Sequence, residues 1–458
     1  MYKNTEHITE IVAFGADGEG IAKPDGFTVF VPGAVKGDIA KILIIKEKKN
    51  YGYGKLLEVI EPSPLRTEPR CEVFQKCGGC SMQGVEYSHQ LEYKKNKVLD
   101  ALVRIGGFSD AVIDSVTGSN PCYNYRNKAQ FPVTVADGKV RAGFYAPHSH
   151  RVVVPEACSL QDERTNQVVN AVCDWATENG IDIYDEETCT GNLRRICMRI
   201  GKSEAVLVLV AKKSLPCTES LIDIIKEKFP FVKGIVININ PDRTNNVYGD
   251  RDKVIYGVPH IIDNVGTIRY KVHYKSFYQV NPYTTKLLYE KALELANLDG
   301  EKTAFDLYCG TGSISLFLAQ KAKKVIGIEI VEDAVKNARE NAELNGITNA
   351  EFYCGAAEEV APKLIREGEK ADVVVLDPPR KGCDEKLLSA IAGMKPERIV
   401  YVSCDPATMA RDAKYLCQNG YILKEAHMFD QFPMTSHVES AVVLCRANIE
   451  RNIFSLTD

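Results

Sequence analysis

A chain of 458 residues is too long for one ordinary domain, so two or three are expected. Its 45% hydrophobic and 26% charged content is that of a globular protein able to bury cores, which excludes a disordered or low-complexity chain. The net charge of −4 carries no global nucleic-acid signature, no apolar run is long enough to span a bilayer, and the first residues lack a signal-peptide core; a cytoplasmic protein with no membrane partner is expected.

Residues 1–60 read as short strands with glycine punctuation, at 8–14, 27–33, 38–45 and 55–60. That spacing predicts a small β-barrel. Between the last two strands, residues 46–54 set lysines beside tyrosines on a predicted loop (Lys-Glu-Lys-Lys-Asn-Tyr-Gly-Tyr-Gly). The mixture suits phosphate contacts and base stacking, and equally a solvated hairpin tip. Glu61-Pro62-Ser63-Pro64 marks the first boundary. The range 61–270 reads as an α+β central domain. It opens with a helix over 87–104 that has Leu91, Val98, Leu99 and Leu102 on one face and lysines on the other, a helix placed to pack on the domain that follows. Two further helices fall near 161–179 and 218–229, and Tyr123-Asn124-Tyr125-Arg126-Asn127-Lys128 is a second aromatic and basic mixture.

Fifteen cysteines, an odd number spread over the whole chain, argue against a secreted disulfide scaffold. Most, such as Cys197, Cys217 and Cys417, have apolar neighbours and read as small core residues. Cys71, Cys77 and Cys80 differ, because they form C-x5-C-G-G-C, with Cys158 as the candidate fourth ligand. Four thiolates suit zinc or a 4Fe–4S cluster; a zinc ribbon pairs two C-x2-C knuckles, and one knuckle alone favours iron and sulfur.

From 271 to 458 strands and helices alternate regularly, with strands at 303–307, 324–330, 350–353, 371–376 and 398–403. This predicts a doubly wound, Rossmann-like α/β domain with a mostly parallel sheet, ending in an antiparallel edge hairpin over 421–429 and 438–445. Ligands of such sheets bind at the carboxyl ends of the strands. The turn Asp306-Leu307-Tyr308-Cys309-Gly310-Thr311-Gly312 lies there, and Glu329 ends the second strand, placed to accept from ribose hydroxyls. The third glycine of a dinucleotide turn is absent, and the acidic Asp306 matches the S-adenosylmethionine version. In Asp377-Pro378-Pro379-Arg380 an arginine replaces the aromatic residue found in many amine methyltransferases. Cys404, in Ser403-Cys404-Asp405-Pro406, closes the fifth strand at the cofactor edge, where a thiolate is a candidate nucleophile. Glu439 precedes the last strand as a candidate general base.

These motifs, together with Ser276-Phe277-Tyr278-Gln279-Val280-Asn281 and His437-Val438-Glu439, occur in the order seen in the RNA uracil-C5 methyltransferase family of the RumA/TrmA type, which the chain resembles over nearly its whole length. The first sixty residues likewise resemble a TRAM RNA-binding barrel. The resemblance implies that Gln279, Tyr308, Glu329 and Asp377 contact S-adenosylmethionine, that Cys404 is the nucleophile and Glu439 the base. It also implies a 4Fe–4S cluster on Cys71, Cys77, Cys80 and Cys158, since some members bind one with this spacing. A flipped uridine in RNA is the implied substrate, with 23S rRNA ahead of tRNA because the family's tRNA members generally lack both barrel and cluster; the enzyme is expected to act as a monomer. Two readings compete with it. One is a methyltransferase for amines or DNA cytosine, against which Arg380 and the barrel weigh; the other is an RNA-binding iron–sulfur protein with an inactive methyltransferase fold.

Overall fold

A computed structural model describes residues 3–244 and 246–447; the last residues of the range 271–458 lie outside them. Five strands close a barrel in the order β1-β2-β3-β5-β4: β1 (Glu6–Phe14), β2 (Gly20–Ala22), β3 (Thr28–Val31), β4 (Ile39–Glu47) and β5 (Tyr51–Glu61). Alternate residues Ala40, Ile42 and Ile44 of β4 fill its interior. Gly52 and Gly54 of β5 also face inward, where an added Cβ would lie 2.9 Å from the Lys46 carbonyl and 3.0 Å from Val29 Cγ1 respectively. Tyr51 and Tyr53 therefore face out. The lysine–tyrosine stretch is thus not one loop: Lys46 and Glu47 end one strand and Tyr51 opens the next.

Helix α1 (Tyr87–Ala101) ends in a π turn over Leu102–Gly106. Its buried stripe is Gln90, Lys94, Val98 and Ala101, at the helical spacing i, i+4, i+8, i+11, whereas Leu91 and Leu99 are only half-buried. The expectation of an apolar face opposite the lysines fails at Lys94, which is fully buried. Strand β6 (Ser115–Thr117) follows.

The next unit contains β7 (Lys128–Ala136), β8 (Lys139–Ala142), β9 (Phe144–Tyr145), β10 (Val152–Val153) and α2 (Glu163–Glu178). It continues with β11 (Leu193–Ile200), β12 (Ala205–Ala211), α3 (Thr218–Lys228), β13 (Val232–Ile239) and β14 (Arg251–Gly257). A six-stranded sheet in the order β14-β13-β12-β11-β7-β8 carries α2 and α3 on one face. On this unit Cys197 is buried as expected, but Cys217 is exposed. The hairpin β15 (His260–Val265) and β16 (Ile268–His273) packs into the core of the following unit through Ile261, Tyr270 and Val272.

That unit runs α4 (Pro282–Ala296), β17 (Thr303–Leu307), α5 (Ser313–Leu318), β18 (Lys324–Glu329), α6 (Glu332–Leu344), β19 (Ala350–Cys354) and α7 (Ala357–Arg366). It ends with β20 (Val373–Leu376), α8 (Glu385–Met394), β21 (Arg398–Ser403), α9 (Pro406–Gln418), β22 (Tyr421–Phe429) and β23 (Glu439–Arg446). The sheet order is β19-β18-β17-β20-β21-β23-β22-β6, and only β23 runs against its neighbours. The final hairpin is antiparallel as expected but is not the edge, because β6 pairs parallel to β22 and covers it. The fold is an α/β Rossmann-like domain with an N-terminal barrel and an α+β middle layer.

Candidate active site

Neighbouring strands β18, β17, β20 and β21 end together, and the chain reverses at each end into a helix. After β17 the backbone turns through Tyr308 (φ 77°), a left-handed conformation that costs a non-glycine residue energy and is held here by hydrogen bonds from the Tyr308 and Cys309 N–H groups to the Ile328 carbonyl. Gly312 (φ 81°) starts α5 against Ala338 and Phe352, too close for a larger residue to fit unstrained. The Glu329 carboxylate accepts from the Gly310 N–H at 3.1 Å and the Val331 N–H at 3.0 Å, so it is fixed at the rim of this turn. Beside it the exposed apolar side chains of Ile330 and Val331 offer a wall for a flat ring.

Asp306 lies buried under the turn and accepts from the Ser315 hydroxyl; burial pushes its carboxyl up to about 7. Asp377, directly after β20, is also pushed up to about 7, by burial and then by Asp306. Gln279 sits just before the Asn281 cap of α4, its carbonyl accepting from Asn127 Nδ2 at 2.8 Å and its Oε1 facing Gln431 Nε2 at 3.4 Å.

Cys404 occupies the tight corner between β21 and α9. Asp405 caps that helix by accepting from the Ala407 and Thr408 N–H groups, and Pro406 takes the first helical position, so the sequence Ser-Cys-Asp-Pro encodes strand end, thiol, cap and helix start. The β21–β23 ladder ends at Ser403–Ser440, so Cys404 directly follows β21 where Glu439 opens β23, and the Glu439 carboxyl acts on the Cys404 thiol electrostatically. Glu439 is 2% exposed. Burial and then Asp377 raise its carboxyl well above the usual range, while Arg380 opposes the rise. Burial, Glu439 and Asp377 push the Cys404 thiol up to about 11, again opposed by Arg380. A partly exposed sheet edge is expected to favour the thiolate; burial first, and then the carboxyls of Glu439 and Asp377, disfavour it. Cys404, Glu439, Asp377, Asp306 and Arg380 thus form one electrostatic cluster at the mouth of the sheet. The buried carboxyls complement a cationic ligand, which fits the sulfonium of S-adenosylmethionine.

The four predicted metal-binding cysteines line one cavity of about 490 Å³ together with Arg126, Lys128, Gln83 and Phe277, whose ring is 75% exposed. Burial raises all four thiols; Cys80 reaches about 12, with the other three thiols adding to the rise. The Gly79 N–H donates to Cys77 Sγ and the Gln83 amide to Cys80 Sγ, each at 3.3 Å. Among the described residues no group of three or more Cys, His, Asp or Glu is drawn together closely enough to hold a metal ion.

Gln431, Lys94 and Asp430 escaped the sequence reading. The Gln431 amide bridges the Gln279 segment and Thr285, and Lys94 pairs with Asp430 at 2.6 Å with both side chains fully buried. No local motif marks them, because their partners lie 146 to 336 residues away.

An open α/β sheet with this turn, this acidic second strand and carboxyls at its switch point is that of an S-adenosylmethionine-dependent methyltransferase. A family model described as tRNA (uracil-5-)-methyltransferase matches residues 243–447, and a TRAM domain model matches 10–57. A protein of Halalkalibacterium halodurans named an uncharacterised RNA methyltransferase is 48% identical over 93% of this chain and 94% of its own length. One of Clostridium tetani with the same designation is 46% identical over 96% of each chain. The crystal structure of Pyrococcus abyssi tRNA (uracil-54, C5)-methyltransferase with S-adenosyl-L-homocysteine superposes with a TM-score of 0.76 at 27% identity, covering 96% of this chain and all of that one. The chain belongs to the RNA (uracil-5-)-methyltransferase family, and it is an S-adenosylmethionine-dependent enzyme with an RNA-binding TRAM barrel.

Proposed function

We propose that this enzyme methylates carbon 5 of a uridine in RNA with Cys404 as covalent nucleophile and Glu439 as general base. The observation that carries the reading is a thiol and a buried carboxyl that interact electrostatically at the shared end of one strand pair, with Asp377 and Arg380 acting on both. Carbon 5 of uracil is too weak a nucleophile to take a methyl group unaided. The Cys404 thiolate adds to carbon 6, and the electron pair displaced from the 5,6 double bond gives an enolate that attacks through carbon 5. When bound, S-adenosylmethionine, held by Gln279, Tyr308, Glu329 and Asp377, supplies the methyl from a cationic sulfur whose charge the carboxyl cluster offsets. Glu439 then takes the proton from carbon 5; that C–H electron pair re-forms the double bond, and the carbon–sulfur bond breaks to return the Cys404 thiolate. Arg380, opposing the rise of both groups, favours their ionised forms.

The substrate of this reading is 23S rRNA, modified in the cytoplasm by a monomeric enzyme. The full-length likeness to a tRNA (uracil-54, C5)-methyltransferase favours tRNA as the second reading. The reading also puts a 4Fe–4S cluster on Cys71, Cys77, Cys80 and Cys158. Support comes from four half-buried thiols around one cavity, N–H donors to two of the sulfurs, and the cations Arg126 and Lys128 on its wall, which suit an anionic iron–sulfur thiolate group.

The test is Cys404→Ala, which should abolish methyl transfer while S-adenosylmethionine affinity stays within about threefold, since the thiol adds little to ground-state cofactor binding. Residual turnover at the native rate refutes the covalent route. Loss of 5-methyluridine from 23S rRNA, or from tRNA, in cells lacking the gene assigns the substrate. Anaerobic purification should give a brown protein with about four irons per chain; colourless, iron-free and fully active protein removes the cluster from the reading.

A further inference from the structure

Between β22 and β23 the chain crosses the mouth of the sheet as an irregular segment, residues 430–438, and delivers Glu439 at its end. Irregular backbone next to a catalytic group must be held in place; bonds among Asp430, Phe432, Thr435 and His437 shape the segment locally, and Met434 and Ser436 are bonded to other elements. The Met434 carbonyl accepts from both the Ser81 and Met82 N–H groups, at 3.2 and 3.0 Å, and the Met434 N–H donates to Gln90 Oε1 at 3.1 Å. Met434 itself has φ 67°, a left-handed conformation that these contacts sustain. The Ser436 N–H donates to Ser81 Oγ at 3.1 Å, and its carbonyl accepts from Lys97 Nζ at 3.1 Å. Ser81 directly follows Cys80. Gln90, fully buried, sends its amide N–H groups to the Met82 and Val85 carbonyls at 3.0 and 2.8 Å, so a single side chain ties the cysteine loop, helix α1 and the 430–438 segment together.

We propose that Ser81 and Gln90 are positioning residues: they hold the 430–438 segment so that Glu439 meets carbon 5 of the bound uridine, linking the cysteine loop to the proton-removal half of the reaction. This rests on the assignment of Cys404 as nucleophile and Glu439 as base. It makes a specific kinetic demand. The carbon–sulfur bond to Cys404 breaks only after the carbon-5 proton leaves, so a displaced Glu439 slows release and leaves methylated RNA attached to the protein. A residue that only stabilises the fold lowers the amount of active enzyme and accumulates no such species.

The experiment uses full-length enzyme with unmodified RNA and radiolabelled S-adenosylmethionine, comparing native protein, Ser81→Ala and Gln90→Met, with thermal melting to establish that each variant is folded. Expected are single-turnover methyl transfer within about threefold of native, steady-state turnover slowed about tenfold, and a labelled protein–RNA species that survives denaturant. Ser81→Ala removes one side-chain hydrogen bond and keeps the test alive should the buried Gln90→Met fail to fold. RNA carrying 5-fluorouridine serves as the control, because no proton can be lost from carbon 5 and the native enzyme must be trapped. Native trapping without accumulation by a folded variant overturns the positioning role. No native trapping overturns the Cys404 assignment, and the proposal with it.

Discussion

A thiol pushed up to about 11 is almost wholly protonated at neutral pH, so Cys404 in the free protein is a poor nucleophile. Burial suppresses the thiolate most, and the carboxyls of Glu439 and Asp377 add to it; a cationic sulfur bound beside them would offset the second part. S-adenosylmethionine binding should therefore lower the Cys404 pKa, whereas neutral S-adenosylhomocysteine should not. Alkylation of Cys404 by iodoacetamide, followed on its own peptide by mass spectrometry, should speed up several-fold with a cationic analogue such as sinefungin and stay unchanged with S-adenosylhomocysteine; equal rates with both ligands contradict the electrostatic account. A pH dependence follows from the same cluster. Asp306 and Asp377 titrate near 7, so they are largely neutral at pH 6 and carboxylates at pH 8. A cation prefers the carboxylate form, so the affinity ratio of S-adenosylmethionine to S-adenosylhomocysteine should rise across this window, by at most about tenfold per pH unit for each carboxyl. The sign for stability is opposite. Groups whose folded pKa lies above the unfolded value favour folding at low pH and lose that contribution as pH rises through 7, so the ligand-free protein should melt lower at pH 8 than at pH 6 on their account. Calorimetric titration and melting at both pH values check the pair.

Helix α1 marks the limit of what local pattern reveals. The local structure of the Cys404 corner is written in four consecutive residues, and the glycine turn in seven, so the shape of both is legible in the sequence. The lysines of α1 read as a solvated face because a polarity pattern cannot see a partner 336 residues away. Lys94 instead pairs with Asp430 and donates to the Phe432 carbonyl at 3.0 Å, and Tyr87 completes the Asp430 shell at 2.9 Å. Strand β6 was invisible for the same reason: three residues have no periodicity, and only the edge of β22 makes them a strand. Burial lowers the Lys94 pKa and Asp430 opposes that, the signature of a charge taken out of water with its partner. Asp430→Asn should destabilise the protein by about 3–5 kcal/mol, because it strands a buried ammonium; adding Lys94→Met should recover much of the loss. Chemical denaturation of the single and double variants measures it. Additive losses would mean that the two side chains are not a coupled pair.

At the scale of the whole molecule the barrel is not tethered loosely to the catalytic unit. Its 15–19 turn is clamped on α1, with the Tyr93 hydroxyl donating to the Gly15 and Ala16 carbonyls at 2.9 Å each and Lys97 to the Ala16 carbonyl at 2.8 Å. At Gly18 an added Cβ would sit 3.1–3.3 Å from Met82, Ser81 and Ser436, so this turn also abuts the segment that leads to Glu439. A barrel face held this way sits at a fixed distance from the cleft. That face carries Phe30, Tyr51 and Tyr53 with ring centroids 5.7–6.0 Å apart and Lys46 over the Tyr53 ring. The barrel core does not need these tyrosines, since Gly52 and Gly54 supply the inward positions of the same strand. Exposed rings beside a cation suit stacking of an unpaired base, worth about 1–3 kcal/mol per base. Tyr51→Ala with Tyr53→Ala should therefore raise the KM for RNA by about 5- to 100-fold, leaving S-adenosylmethionine affinity and kcat at saturating RNA within twofold. Steady-state kinetics with varied RNA, alongside equilibrium binding of the cofactor, separates the two. An unchanged KM would put the RNA contact elsewhere on the barrel, whereas a fall in kcat alone would mean that the face acts on the geometry of the cleft and not on RNA capture.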